Sequence, residues 1–160
     1  MGLFSFFRSK TETQGTYDDS FKALKDGVLF EDNNYLLKWG SAIEQEKSYF
    51  KRELRADRTI YNWGERVILS GLILSLSTVI WKNGGDDFEY YPPLEFLAEG
   101  EDAEKYLQII SSHLQNYIGP PVRKENGAML EWGVDDVRLS LFLFEQHHVN
   151  KLNFQIKKMN

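Results

Sequence analysis

The amino-acid sequence predicts an α+β domain in which hairpins form a mostly antiparallel sheet and two or three helices pack on it. Near the end of the chain, apolar and polar residues alternate over two stretches, Val137 to Phe144 and Leu152 to Lys157, joined by a turn at Glu145 to Asn150. Alternation with a period of two is typical of half-buried strands, so these stretches indicate a hairpin. Earlier in the chain, apolar residues instead recur with the period of a helix.

This helical segment has a continuous apolar face and clear boundaries. Three acidic residues stand at its beginning, where the helix dipole favours negative charge, and Gly119-Pro120-Pro121 ends it. We expect the apolar face to pack on the sheet, with Leu114 buried. The residues of this face are Ala103, Tyr106, Leu107, Ile110, Leu114, Tyr117 and Ile118.

The first part of the domain predicts a hairpin followed by a helix. Two short apolar runs, Val28 to Glu31 and Tyr35 to Trp39, flank the turn-forming sequence Asp32-Asn33-Asn34. The sequence Ser41-Ala42-Ile43-Glu44 then has the spacing of a capping box, which marks a helix start. Ile43, Phe50 and Leu54 follow at roughly helical spacing, so they predict a surface helix with a narrow buried stripe.

The apolar segment from Arg66 to Trp81 fits either two strands or one buried helix. Its many β-branched residues favour strands, with Gly71 as a bulge or a tight bend between them. The run Val67 to Trp81 has 15 residues, whereas a helix that spans a bilayer needs about 20. We therefore expect a soluble, cytoplasmic protein without stable membrane association.

The chain divides into two parts of different composition. Residues 1–20 combine an apolar start with a polar, turn-rich tether, and residues 21–160 have the length and the apolar content of one domain. The sequence contains no cysteine, which excludes disulfides, thiolate metal sites and thiol nucleophiles and suits a reducing compartment.

The motifs of common catalytic and cofactor sites are absent from the sequence. It has no GxxxxGK[ST] loop, no GxGxxG fingerprint and no Gly-x-Ser-x-Gly elbow. Of the three histidines, His113 lies at the edge of the helical apolar face, and His147 and His148 lie in the predicted turn, at the far end of a strand from Asp135 and Asp136. We predict no enzyme activity, no catalytic residue, no cofactor and no metal site.

An acidic, aromatic segment is the most unusual part of the sequence. Residues 86–104 contain eight acidic side chains and no lysine or arginine, and the net charge of the chain is -5. Carboxylates interleaved with aromatic rings favour a basic protein partner, although a solvated loop explains the charges equally well. With a pI near 5.3, we expect no nucleic-acid partner. The predicted partner-binding residues are Asp86, Asp87, Phe88, Glu89, Tyr90, Tyr91, Glu95, Glu99, Glu101 and Asp102.

The small, acidic, single-domain build and the start Met-Gly-Leu-Phe-Ser-Phe-Phe-Arg resemble those of bacterial immunity proteins from contact-dependent and polymorphic toxin systems. This resemblance implies a non-enzymatic protein that binds and occludes a cognate, basic toxin domain. Two alternatives are a small regulatory or scaffold module and a small enzyme that uses a carboxylate pair.

Overall fold

The structure, a computed structural model, describes residues 19–40, 49–83, 93–125 and 128–159, and ten strands and two helices lie wholly within these ranges. The helices are a short 3-10 helix, Ala23–Lys25, and the long helix α1, Glu101–Ile118. This is the α+β architecture that the sequence predicts. The strands are β1 (Gly27–Phe30), β2 (Tyr35–Lys38), β3 (Lys51–Leu54), β4 (Arg58–Ile68), β5 (Leu72–Trp81), β6 (Leu94–Glu99), β7 (Arg123–Glu125), β8 (Met129–Val134), β9 (Val137–Gln146) and β10 (Val149–Lys158).

Eight of these strands form one antiparallel sheet in the order β3-β4-β5-β6-β10-β9-β8-β7, and β1 and β2 form a separate hairpin. The large sheet consists of two four-stranded meanders, β3 to β6 and β7 to β10. Each meander begins at an outer edge of the sheet and ends at its centre, and α1 connects them. The two halves therefore meet where β6 pairs with β10.

The junction between the halves lies at the centre of the hydrophobic core. Phe96 of β6 stands directly opposite Phe154 of β10, and both rings are buried. Leu94 and Ile156 form the next buried pair on the same side of the sheet. These side chains face α1, which contacts β6, β9 and β10.

Helix α1 has the apolar face that its sequence predicts. Leu114 and Ile110 are fully buried, and the ring of Tyr106 lies 4.7 Å from the ring of Phe96. Tyr117 is the exception, because 38% of its surface stays exposed while its ring stacks on that of Phe21. The helix packs on the sheet along most of the predicted face.

The β1–β2 hairpin confirms the prediction of two strands around Asp32-Asn33-Asn34, and it packs on the same side of the sheet as α1. The ring of Phe30 lies 5.8 Å from that of Trp63. Gly27 lets the two strands approach closely, since a Cβ atom at this position would lie 2.2 Å from the Leu37 carbonyl oxygen.

The segment from Arg66 to Trp81 forms strands, as its β-branched residues favoured. Strands β4 and β5 are joined by a tight bend at Leu69, Ser70 and Gly71, all of which have positive φ angles. The Glu31 carboxylate accepts hydrogen bonds from the backbone N–H groups of Ser70, at 2.8 Å, and Gly71, at 3.3 Å. These bonds hold the bend against the first hairpin.

The predicted helix with a stripe of Ile43, Phe50 and Leu54 is wrong in its described part. Residues 51–54 form the edge strand β3, and Leu54 is 69% exposed instead of buried. Pairing with the long strand β4 determines the extended conformation of β3, so β3 forms although none of its side chains is buried. The capping box at Ser41 to Glu44 lies outside the described residues, as does the segment 1–18.

The C-terminal hairpin is confirmed, but its turn is shorter than predicted. Glu145 and Asn150 still pair within the strands, and only His147 and His148 form the turn. Both histidines have positive φ angles, 53° and 64°, as a two-residue type I′ turn requires. Because the turn is short, Glu145 and Val149 lie on the sheet instead of in a loop.

Candidate interaction surface

The side of the large sheet that faces away from α1 carries the candidate site, and we call it the open face. Both α1 and the β1–β2 hairpin, among the described elements, contact the sheet from the other side. Side chains of the open face alternate along each strand with those of the core. The strand register aligns eight polar side chains across this face, one from each strand, and we call them the polar row: Lys51, Asn62, Ser77, Glu95, Gln155, Ser140, Glu131 and Arg123.

The two carboxylates of the polar row have different surroundings. Gln155 donates a hydrogen bond of 3.1 Å to Glu95, and burial raises the pKa of the Glu95 carboxyl. Glu131 is buried and pairs with Arg138 at 3.2 Å. Three strand spacings, about 14 Å at about 4.8 Å per spacing, separate the backbones of the two residues.

Exposed apolar side chains are concentrated on the open face. The described part of the chain exposes nine large apolar side chains, and five of them lie here. These five are Ile73, Trp81, Leu97, Phe144 and Val149. The distribution is uneven enough to mark this face as a candidate contact surface.

Three adjacent strands at one end of the open face form the apolar patch, which we define as Leu97, Phe142, Phe144 and Val149. Leu97 on β6 is 58% exposed and Phe144 on β9 is 44% exposed. Lys151 on β10 stands opposite both Phe144 and Glu99 in the strand register, and it forms an ion pair of 3.0 Å with Glu99. Long lysine side chains cover apolar surface with their methylene groups, so this pair is part of the patch.

Five exposed carboxylates lie at the same end of the sheet, and we call them the acidic rim: Glu99, Glu101, Asp102, Glu104 and Glu145. Glu99 lies on the open face, whereas Glu145 and the three carboxylates of α1 lie on the other side of the sheet. They come from the end of β6, the first turn of α1 and the end of β9. The Gly100 N–H donates to the Asn150 carbonyl oxygen at 2.8 Å, which fixes the helix start against the β9–β10 turn. A shallow cavity of about 510 Å³ lies between these elements, lined by Glu101, Glu104 and Glu145 among others. The fold thus collects carboxylates that are more than 40 residues apart in sequence.

The structure brings together part of the predicted partner-binding set. Glu99, Glu101 and Asp102 lie in the acidic rim, and Glu95 lies in the polar row. The predicted residues Asp86, Asp87, Phe88, Glu89, Tyr90 and Tyr91 lie outside the described residues.

Sequence reasoning missed Glu145 and the apolar patch around Phe144 and Val149. The signal that could have located them is a two-residue turn at His147 and His148, because this turn sets the strand register of the C-terminal hairpin.

The three histidines have separate locations. The ring of His113 donates from Nε2 to the Leu69 carbonyl oxygen at 2.5 Å, and burial lowers its pKa. This is the partly buried, structural histidine that its position at the edge of the apolar face predicts. His148 is exposed in the β9–β10 turn, with Nδ1 3.7 Å from Glu145. Within the described ranges, no three His, Asp or Glu side chains are grouped closely enough to hold a metal ion.

Asp135 and Asp136 lie at the opposite end of β9 from the histidine turn, as predicted. Asp135 belongs to the β8–β9 turn, and Asp136 pairs with Lys158. None of the helices in the described part of the chain has the length and apolar character needed to cross a membrane.

Comparisons with family models, with curated proteins and with solved structures find no significant match for this chain. The candidate site therefore depends on the geometry of this molecule alone.

Proposed function

We propose that this chain is a non-enzymatic binding protein of the immunity type, which binds and occludes a basic bacterial toxin domain. The acidic rim is the observation that supports this function. Its five carboxylates come from three elements and are all exposed. Exposed charges contribute little to stability, so the concentration of carboxylates at one end of the fold is better explained by binding.

Occlusion requires no chemistry from the chain itself. A toxin domain that acts on nucleic acid binds substrate phosphates through lysine and arginine side chains. Carboxylates of the acidic rim can pair with those same side chains, so the substrate is excluded. Opposite charges also accelerate encounter, which an inhibitor that protects its own cell requires.

The test begins with the protein encoded beside this chain. We expect a toxin domain from the same operon, inactivated at its own active site, to co-purify with the chain and to associate more slowly as salt rises. Glu145→Lys should slow association about tenfold at low salt and weaken its salt dependence.

Asp26→Lys provides the matched control, because it makes the same change of charge at another exposed carboxylate. Asp26 follows Lys25, whose carbonyl oxygen accepts a hydrogen bond from Lys158, so it lies at the other end of β10 from the acidic rim. If Glu145→Lys and Asp26→Lys change association equally, the acidic rim is not the binding surface. If no operon neighbour binds, the proposed function is wrong.

A further inference from the structure

We propose that the bend between β4 and β5 is a pH-sensitive switch, which is closed while His113 is neutral and opens locally when His113 takes up a proton. The bend consists of Leu69, Ser70 and Gly71, and His113 contacts it from α1. This inference concerns a conformational change of the chain alone, so it does not depend on the proposed function.

The backbone of the bend has an unfavourable conformation. Its three consecutive residues have positive φ angles, 47° at Leu69, 73° at Ser70 and 103° at Gly71. Leucine and serine rarely adopt this region, and they keep it only where the surrounding structure holds them. The bend therefore gains from release as soon as its contacts weaken.

Two side chains from different elements hold the bend closed. The Glu31 carboxylate, directly after β1, accepts hydrogen bonds from the N–H groups of Ser70 and Gly71. From α1, Nε2 of His113 donates to the Leu69 carbonyl oxygen at 2.5 Å. The helix and the first hairpin are thus joined through this bend.

Protonation of His113 weakens both holding contacts. The imidazole is partly buried, with its ring 4.7 Å from that of Tyr117, and burial lowers its pKa, so the added charge is relieved when the ring reaches water. In the described part of the chain, Glu31 supplies the negative charge that acts on this ring. The attraction of its carboxylate to an imidazolium competes with its hydrogen bonds to Ser70 and Gly71. Protons therefore shift the population towards the open bend.

Local opening requires only a short segment to move. The bend lies between the paired residues Ile68 and Leu72 at the end of a hairpin, so β4 and β5 stay paired when it opens. The Leu69 side chain is 1% exposed, and its burial opposes opening. The open bend is therefore a minor population at neutral pH, which is the kind of state that amide hydrogen exchange detects.

Hydrogen exchange of the full chain, followed by NMR, tests this switch. We expect the Ser70 and Gly71 amides to be less protected than that of Phe154, which lies at the centre of the sheet, because the bend opens without global unfolding. Their protection factors should fall about threefold or more as pH drops from about 7 to about 5. The fall should begin near 6.5, the ordinary pKa of histidine, and level off once the His113 ring is protonated in the same sample.

Two variants identify the group that responds to pH. His113→Gln keeps a neutral N–H donor for the Leu69 carbonyl oxygen and cannot take up a proton, so the protection of the bend should no longer change over this pH range. His148→Asn is the control, because the His148 side chain is 99% exposed and asparagine tolerates the positive φ of that turn. The pH response of the bend should remain in this variant.

Three results would overturn the inference. If Ser70 and Gly71 are as well protected as Phe154, they exchange only in global unfolding and the bend does not open locally. If their protection is independent of pH, protonation does not open the bend. If it changes equally in His113→Gln, another group is responsible. Should His113→Gln fail to fold, the comparison of bend protection with the ring titration in the unmodified chain decides.

Discussion

Replacement of Leu114 by alanine tests whether α1 is held to the sheet by burial of its apolar face. Leu114 is fully buried, and it belongs to a helix that contacts β6, β9 and β10. The variant removes three carbon atoms from the space between the helix and a rigid sheet. Because strands in the middle of a sheet cannot move into the space, we expect little relaxation.

The expected loss of stability has two parts. Transfer of three methylene equivalents out of the core costs about 2.4 kcal/mol, at about 0.8 kcal/mol each. A residual cavity of about 60 Å³ adds about 1.5 kcal/mol at about 24 cal/mol per Å³. Leu114→Ala should therefore lower the free energy of unfolding by about 4 kcal/mol.

Urea unfolding followed by tryptophan fluorescence measures this difference, and Leu97→Ala is the control. Leu97 is 58% exposed, so the same chemical change should cost less than about 1 kcal/mol there. A loss below about 1 kcal/mol for Leu114→Ala would refute the packing of α1 on the sheet.

Three further changes test local features of the fold. Gly27→Ala should lower the free energy of unfolding, measured in urea, by about 2 kcal/mol or more, because the added Cβ would lie 2.2 Å from the Leu37 carbonyl oxygen. Gly133→Ala is the control: no atom lies within 4 Å of its added Cβ, so stability should change by less than about 0.5 kcal/mol. Burial lowers the pKa of His113 in the folded protein, so the unfolded chain binds a proton more readily, and stability should fall as pH drops below 6.5, the ordinary pKa of histidine. His113→Gln should remove this part of the pH dependence of the free energy of unfolding. Burial raises the pKa of Glu95, so the ionised carboxylate opposes folding, and Glu95→Gln should stabilise the protein at pH 7. The gain, measured as the shift of the urea midpoint, should become smaller towards pH 4, where the Glu95 carboxyl is increasingly protonated.

The sequence predicts the elements whose pattern is local and long. Helix α1 and the C-terminal hairpin each have many residues in a consistent period, so their type follows from sequence alone. Strand β3 could not be predicted in this way, because its four residues are all exposed and their conformation depends on pairing with β4. The spacing of Phe50 and Leu54 indicated a helix only because so few residues were available.

The candidate site depends on contacts that a single sequence does not reveal. The acidic rim joins Glu101 to Glu145 across 44 residues through the pairing of β6 with β10. The concentration of charge near α1 was visible in the sequence, but the apolar patch on the open face was not. Leu97 and Phe142 both stand opposite Asn153, and this relation appears only when the order of strands in the sheet is known.

The meeting of the two meanders at β6 and β10 has a consequence for how the protein is made. Strand β10 is the latest of the described strands to leave the ribosome, yet it occupies the centre of the sheet. Until residues 149–158 emerge, β6 presents an open edge with buried-type side chains such as Phe96, and such edges promote aggregation during synthesis. A truncation before residue 149 would therefore separate the two half-sheets. Folding of the protein should also be slow, because the central contacts between β6 and β10 join residues nearly 60 positions apart.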